Sequence, residues 1–250
     1  ALPAPRDILE KDYGDIIAAL ERNRLSAAAD AAHREADATE YYTLWSHQIK
    51  TPLAAMRLLL QESPDIPGRS AFAQELFKAE QYVDMVLGYL RLDSESTDYV
   101  LRDTDLDGLL RQAVRKFARM FILKKITLDF RETGRTVLTD GKWLSFVVEQ
   151  VLSNALKYTP AGGRIRIYGD GETLVIADSG IGIRPEDLPR VFEKGFTGYN
   201  GREDKKSTGI GLYLCRRVMD RLNHGISIVS RPGQGTLVRL DLSRGRRVVE

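Results

Sequence analysis

Residues 143–182 read WLSFVVEQVLSNALKYTPAGGRIRIYGDGETLVIADSGIG, and this stretch decides the fold of the C-terminal half. Trp143 to Tyr158 has the apolar spacing of a helix. The runs Arg164 to Tyr168 and Leu174 to Ala177 are short and β-rich, and they lead into Asp178-Ser179-Gly180-Ile181-Gly182. Working outward, further β-rich runs at Ile126 to Arg131, Ile226 to Ser230 and Leu237 to Leu242 alternate with helical runs at Leu106 to Phe117 and Gly211 to Leu222. That alternation predicts an α/β sandwich.

The N-terminal half follows another period. From Arg6 to about Ala38 the chain is rich in Ala, Glu, Asp and Arg, with Gly14 as its one glycine and no proline, which suits a long polar helix. From Tyr42, apolar or ring residues recur as Tyr42, Trp45, Ile49, Pro52, Met56 and Leu59, a heptad a/d series. Breakers at Ser63-Pro64-Asp65-Ile66-Pro67-Gly68 end it, and a second series follows through Phe72, Leu76, Ala79, Val83, Val86 and Leu90. Two helices with single apolar seams cannot close a core alone, so a homodimer in which two hairpins form a four-helix bundle is expected. The domain reading is therefore a stalk at 1–38, a helical-hairpin dimerisation domain at 39–97, an α/β domain at 98–244 and a tail at 245–250.

Composition narrows the function classes. Lys and Arg number 37 against 35 Asp and Glu, a formal charge of +2, which gives no reason to expect a nucleic-acid partner. Cys215 is the only cysteine, so no intrachain disulfide forms and no zinc-type spacing exists; a reducing compartment fits. No apolar run approaches the roughly 20 residues of a membrane-spanning helix.

Several residues carry chemistry. His47 falls at heptad position f, facing away from the seam, in Ser46-His47-Gln48-Ile49-Lys50-Thr51-Pro52-Leu53. Pro52 lies inside this helical pattern, where it removes a backbone donor and is expected to loosen the helix near the histidine. Asn154 and Lys157 are three apart and share a helix face, with Tyr158 beside them; an amide oxygen and an ammonium suit magnesium and phosphate. Asp178 can accept from an exocyclic amine, and Gly180 and Gly182 let backbone come close to a ring. Gly209-Ile210-Gly211-Leu212 opens a helix with unpaired amides that suit a polyphosphate. Between Phe192 and Gly209 lie Gly195, Gly198 and Gly201 with the cations Lys194, Arg202, Lys205 and Lys206, the composition of a mobile lid over phosphate. Singly, each feature has an ordinary explanation: a solvated histidine, surface polar residues, turns. Cys215 reads as a packed small residue, His33 as solvated and His224 as a helix end.

The order of these features, not any one of them, is specific. From about Tyr41 to Leu242 the chain resembles sensor histidine kinases of two-component systems: the stretch around His47 looks like their phosphoacceptor box and the stretch around Asn154 like their asparagine box. Asp178 to Gly182, Phe192 to Phe196, Gly209 to Gly211 and Gly235-Thr236 look like the remaining nucleotide-site boxes. HQIKTPL, EKGFTGYNGR and STGIGLYL are more particularly similar to the short intramembrane-sensing kinases paired with peptide-antibiotic ABC transporters.

The resemblance implies an ATP-binding domain of the gyrase, chaperone and histidine-kinase superfamily, with ATP and magnesium as its small-molecule partners. His47 would be the phosphoacceptor; Asn154 would coordinate magnesium; Lys157 and Tyr158 would contact phosphates and sugar; Asp178 would read the adenine amine. Gly180, Gly182, Gly209, Ile210, Gly211, Leu212 and Thr236 would shape the nucleotide site, with Phe192, Lys194, Phe196 and Arg202 in the lid. A response regulator would receive the phosphoryl group on an aspartate, and Gln48 and Thr51, one helical turn apart, would act in dephosphorylating that regulator. The resemblance also implies membrane-spanning helices before Ala1, placing the chain on the cytoplasmic face of a bacterial membrane and in antimicrobial-peptide or cell-envelope stress sensing.

Two departures stand out. Most relatives have Glu or Asp after the phosphoacceptor, whereas Gln48 cannot serve as a base, leaving open whether another group or water takes the proton. Many relatives have arginine where Gly198 stands, and Arg202 is expected to replace it. The rival is a clamp ATPase of the same superfamily, which needs a water-activating Glu four residues before the metal-binding Asn; Gln150 occupies that position.

Overall fold

The computed structural model describes residues 13, 16–17, 20–25, 49–60, 68–93, 99–198 and 208–243. His33, His47, Gln48, Arg202, Lys205, Lys206 and the tail lie outside the described residues. The chain divides into two compact units, Ala1–Ser96 and Thr97–Glu250.

In the first unit, residues 13, 16–17 and 20–25 are helical with exposed side chains, as a stalk-type composition allows. Helix α1 (49–60) runs through Pro52, and helix α2 spans Arg69–Asp93. Lys50 pairs with Asp84 at 2.7 Å and Arg57 with Glu80, so rising numbers on α1 meet falling numbers on α2 and the two are antiparallel. Leu60, Leu76, Val83, Leu87 and Leu92 are buried, whereas Met56, Leu59, Phe72 and Val86 stand exposed. The apolar seam is only half covered within the unit.

The second unit is an α/β sandwich. Its elements are β1 (Arg102–Asp105), α3 (Leu106–Leu123), β2 (Thr127–Phe130), β3 (Thr136–Thr139), α4 (Gly141–Tyr158), β4 (Arg164–Asp170), β5 (Thr173–Asp178), a 3-10 turn at Leu188–Arg190, α5 (Gly211–Arg221), β6 (Gly225–Arg231) and β7 (Gly235–Asp241). The main sheet has the order β2-β4-β5-β7-β6, with β2 parallel to β4 and every other pairing antiparallel. β4 shows why one face takes the helices: Ile165 and Ile167 are buried while Arg164 and Arg166 are exposed, the period-2 alternation of a one-sided sheet. Leu174, Ile176 and Leu240 continue the apolar face, and Leu110, Phe117, Leu144, Val148, Leu152 and Leu214 cover it. Each such side chain contributes roughly 1.5–3 kcal/mol on burial.

Local chemistry sets the helix ends. Asp105 caps α3 by accepting from Asp107 N, and Asp140 caps α4 by accepting from Lys142 N and Trp143 N at 3.0 and 3.2 Å. Helix α3 extends past the expected Phe117 to Leu123, because Phe121 adds one more buried turn. The two-stranded sheet of β1 and β3 was not foreseen from sequence, since Arg-Asp-Thr-Asp has no apolar alternation to betray it. Asn223, with φ 55, takes the left-handed position after α5.

His224 lies at the end of α5, as expected, with its backbone N–H donating to Met219 O at 2.8 Å, and it is buried. Burial pushes its imidazole below the ordinary value of 6.5, against the opposing pull of Asp241 and the Ser243 backbone. The unfolded chain therefore takes a proton near 6.5 that the fold resists, so stability is lost as pH falls through and below that value. Thermal unfolding from pH 7.5 to 5 is expected to show this loss, and His224→Gln to flatten it; an unchanged pH slope in the variant would refute the assignment.

Candidate functional site

Helix α4 is the spine of the site. Its apolar stripe of Leu144, Val147, Val148, Val151, Leu152, Ala155 and Leu156 is buried, which fixes its rotation. Asn154 and Tyr158 are then half-buried and Lys157 exposed at its C-terminal end, with the Lys157 ammonium 5.2 Å from the Tyr158 ring centre.

The turn after β5 meets that end. Ile181 N donates to Tyr158 O at 3.2 Å. Gly180 lies so close that a Cβ there would sit 2.6 Å from both Tyr158 O and Asp178 Oδ1. Asp178 is half-buried, and its Oδ1 accepts from Gly180 N at 2.8 Å and from Thr236 N at 3.3 Å. Both bonds fall on Oδ1, which leaves Oδ2 for an incoming donor. Burial raises the Asp178 carboxyl above 3.8, partly offset by those two N–H donors.

Ser230 ties the far side of the turn. Its hydroxyl donates to Gly235 O, lies 3.0 Å from Thr236 Oγ1 and accepts from Ile183 N at 2.9 Å. Gly182 (φ +72) has no room for a side chain, since a Cβ would fall 2.0 Å from Arg231 O; at Gly235 (φ +93) it would fall 1.9 Å from Asp178 O.

The base of the lid closes on itself. Gly195 N donates to Gly209 O at 3.0 Å, and a Cβ on Gly209 would lie 2.4 Å from Gly195 C. Phe196 is half-buried beneath the Arg190 guanidinium, 4.5 Å from the ring centre, while Phe192 is half-buried and Lys194 exposed. Gly198 has φ +59 and faces Asp187. Ile210, at the N-cap of α5, makes no side-chain cap bond, and Gly211 and Leu212 follow half-buried. A Cβ on Gly211 would come 3.0 Å from Gln150 Oε1, so α5 abuts α4 there.

The structure thus brings Asn154, Lys157, Tyr158, Asp178, Gly180, Gly182 and Thr236 together, with Gly209, Gly211, Phe192 and Phe196 at the lid base. Thr51 is exposed on α1 in the other unit. Sequence reading missed Ser230, Lys124 and Arg190. Ser230 left a signal: it continues the inward parity of Ile226 and Ile228 on β6, where a polar residue is out of place. A groove lined by Thr127, Gly163, Arg164, Arg166, Asp178, Ser179 and Gln234 opens on the arginine-bearing side of the sheet and meets this constellation at Asp178. Cys215 is buried and its thiol pushed up to about 12, a packed residue. Among the described residues no group of three or more His, Cys, Asp and Glu could hold a metal.

Comparison with known proteins gives a consistent result. A profile of the family described as histidine kinase-, DNA gyrase B-, and HSP90-like ATPase matches residues 139–246. The sensor protein BceS of Halalkalibacterium halodurans is 36% identical over 228 residues, covering 88% of this chain and 68% of that protein. The sensor histidine kinase YxdK of Bacillus subtilis is 35% identical over 80% of this chain and 63% of its own length. GraS of Staphylococcus haemolyticus is 38% identical over 78% and 58%. The chain thus spans between 58% and 68% of the length of these relatives. Among solved structures, full-length ShkA in complex with AMPPNP shares the fold, with a TM-score of 0.57 at 24% identity over 80% of this chain and 45% of that one.

The glycine contacts yield a direct prediction. Gly182→Ala adds a backbone clash to left-handed strain and is expected to cost at least about 2 kcal/mol, whereas Gly171→Ala (φ +57, open space) costs about 1 kcal/mol of strain alone. Urea unfolding compares them, and equal losses would refute the close approach at Gly182.

Proposed function

The chain belongs to the sensor histidine kinases, and on that premise we propose that its second unit binds ATP and delivers the γ-phosphoryl group to His47 of a kinase dimer. The observation that carries the reading is Gln150. It lies buried on α4 one turn before Asn154, where a clamp ATPase needs a glutamate to activate water. An amide cannot take a proton from water near neutral pH, so the site is suited to hand its phosphoryl group to another acceptor.

Each residue then has a task. Asp178 Oδ2 accepts from the adenine amine, and Gly180 and Gly182 allow the ring to lie against backbone. Lys157 and Tyr158 meet phosphates and sugar, the uncapped amides at Gly211 and Leu212 face the phosphate tail, and Phe192, Lys194, Phe196 and Arg202 belong to the lid segment. A half-exposed amide with no acid cluster among the described residues fits a magnesium ion that takes most of its ligands from phosphate and water, so Asn154 would hold it. When bound, the ion draws charge from the phosphate oxygens during transfer.

In the reaction a ring nitrogen of His47 attacks the γ-phosphorus, the bond to the bridging oxygen of ADP breaks, ADP leaves, and the imidazole proton passes to water or a base other than Gln48. The phosphohistidine then passes its group to an aspartate of a response regulator, and Gln48 and Thr51 position the water that later removes it. The exposed Met56, Leu59, Phe72 and Val86 support a homodimer closed as a four-helix bundle. Similarity to the sensor kinases BceS, YxdK and GraS supports a sensing role, and the motifs HQIKTPL, EKGFTGYNGR and STGIGLYL support the narrower reading of envelope-stress sensing at the cytoplasmic face of the bacterial membrane, beside a peptide-antibiotic ABC transporter.

Incubation of the chain with labelled ATP and magnesium is expected to give acid-labile, base-stable label that His47→Ala abolishes; label persisting in that variant would sink the reading. Asp178→Asn tests the nucleotide site separately. With Oδ1 committed to Gly180 N and Thr236 N, the amide of the variant would turn its NH2 toward the adenine amine. Nucleotide affinity is expected to fall at least about tenfold with the dimer intact. Unchanged affinity would reject the adenine assignment.

A further inference from the structure

Lys124 has no place among the residues assigned above, yet it is joined to them through backbone. It is the C-cap of α3, followed by Lys125 in the left-handed region (φ 53) and by Ile126 N bonded back to Phe121 O. This turn throws the half-buried Lys124 side chain across to the end of α4. There its ammonium donates to Leu156 O at 2.5 Å, Lys157 O at 3.2 Å and Thr159 O at 3.2 Å. Its own carbonyl accepts from Gly162 N at 3.0 Å. Burial costs the charge its water and lowers its pKa from 10.5, so three carbonyl oxygens must compensate.

The pattern of carbonyls at this helix end is informative. A C-terminal turn leaves its last carbonyls without intrahelical donors. Here Lys157 O and Thr159 O go to Lys124, and the carbonyl between them, Tyr158 O, goes to Ile181 N of the turn that carries Gly180 and Asp178. One ammonium thus fixes the peptide planes on either side of the one that docks the adenine-side turn. The same end of the helix carries Asn154 and Lys157, the residues assigned above to magnesium and phosphate.

We propose that Lys124 is a positioning residue for nucleotide binding, clipping the end of α4 so that Tyr158 O holds the Asp178–Gly182 turn. The inference rests on the nucleotide-binding reading above. Removing the ammonium leaves three carbonyls short of a donor, lets the peptide planes at 157–159 rotate and loosens the hold on Ile181 N. The adenine side of the site then loses its preorganisation.

The test uses the whole chain and Mg-ATP, with hydrogen exchange of the peptide spanning Asp178 to Ile183 as a readout that needs no ligand. Lys124→Met keeps the aliphatic stem; it is expected to speed exchange at Ile181 N–H and weaken Mg-ATP binding about tenfold, the scale of one charge-assisted hydrogen bond lost. Lys124→Arg is expected to restore most of both. If autophosphorylation is followed, KM for ATP rises more than kcat falls, since the clip touches no reacting atom. Binding within about twofold of wild type in Lys124→Met would overturn the proposal, as would unchanged exchange at Ile181. If Lys124→Met does not fold, Lys124→Gln takes its place under the same criteria. Should the wild-type chain bind no Mg-ATP, the nucleotide reading fails, and unchanged exchange in Lys124→Met is then what would refute the clip itself.

Discussion

The second unit depends on one close approach: the backbone of Gly180 against the carbonyl of Tyr158, with no space for a methyl group between them. This contact joins the C-terminal end of α4 to the end of β5. Apolar packing fixes the distance between a helix and a sheet but is tolerant of small slides along the helix axis. The Ile181 N to Tyr158 O bond removes that freedom, because a hydrogen bond weakens steeply with misalignment. Asn154 on α4 and Asp178 at the end of β5 are thereby held in fixed relation.

The same economy runs through the rest of the site. Glycine appears where backbone must cross backbone: Gly182 against Arg231, Gly235 against Asp178, Gly209 against Gly195. At each, the absent Cβ lets carbonyls and amides meet directly, and at Asp178 the amides so recruited carry part of the burden of a half-buried carboxylate. Ser230 gives the turn a second anchor from β6, so the segment from Asp178 to Ile183 is bonded to α4 on one side and to β6 and β7 on the other. Little freedom remains in it, which is what a binding group with a single open oxygen requires.

How much of this the sequence displayed follows from the range of the signal. β4 and α4 were legible because their signals are local: alternation through Ile165 and Ile167, and helical spacing through Val147, Val151 and Leu152. Glycine motifs were legible as turns but not as contacts, since the partner of Gly182 lies on another strand and that of Gly235 on the end of β5. β1 was invisible because it is a polar edge strand held by pairing with β3 and not by burial. Lys124 was invisible for a related reason. Its role is a length of side chain measured across a helix-to-helix gap, and nothing in Leu123-Lys124-Lys125 distinguishes it from a solvated cation. The exposure of Met56 and Phe72 beside buried Leu76 and Val83 belongs to the same class: heptad spacing gives the stripe, but not how much of it one hairpin can cover.

A nucleotide site built this rigidly must still choose its acceptor, and the proposed function places that choice in two absences. Gln150 has the volume of glutamate and packs against the start of α5 as a glutamate would, but it offers no base to a water. Gln48 offers none to His47. An imidazole, however, is nucleophilic through a ring nitrogen that carries no proton in its neutral form, whereas water must lose a proton to attack. Removing the base therefore costs hydrolysis far more than it costs transfer to histidine. The amide at 150 therefore disfavours hydrolysis while the amide at 48 costs transfer to histidine little, and on the proposed function the γ-phosphoryl group is retained until the histidine arrives.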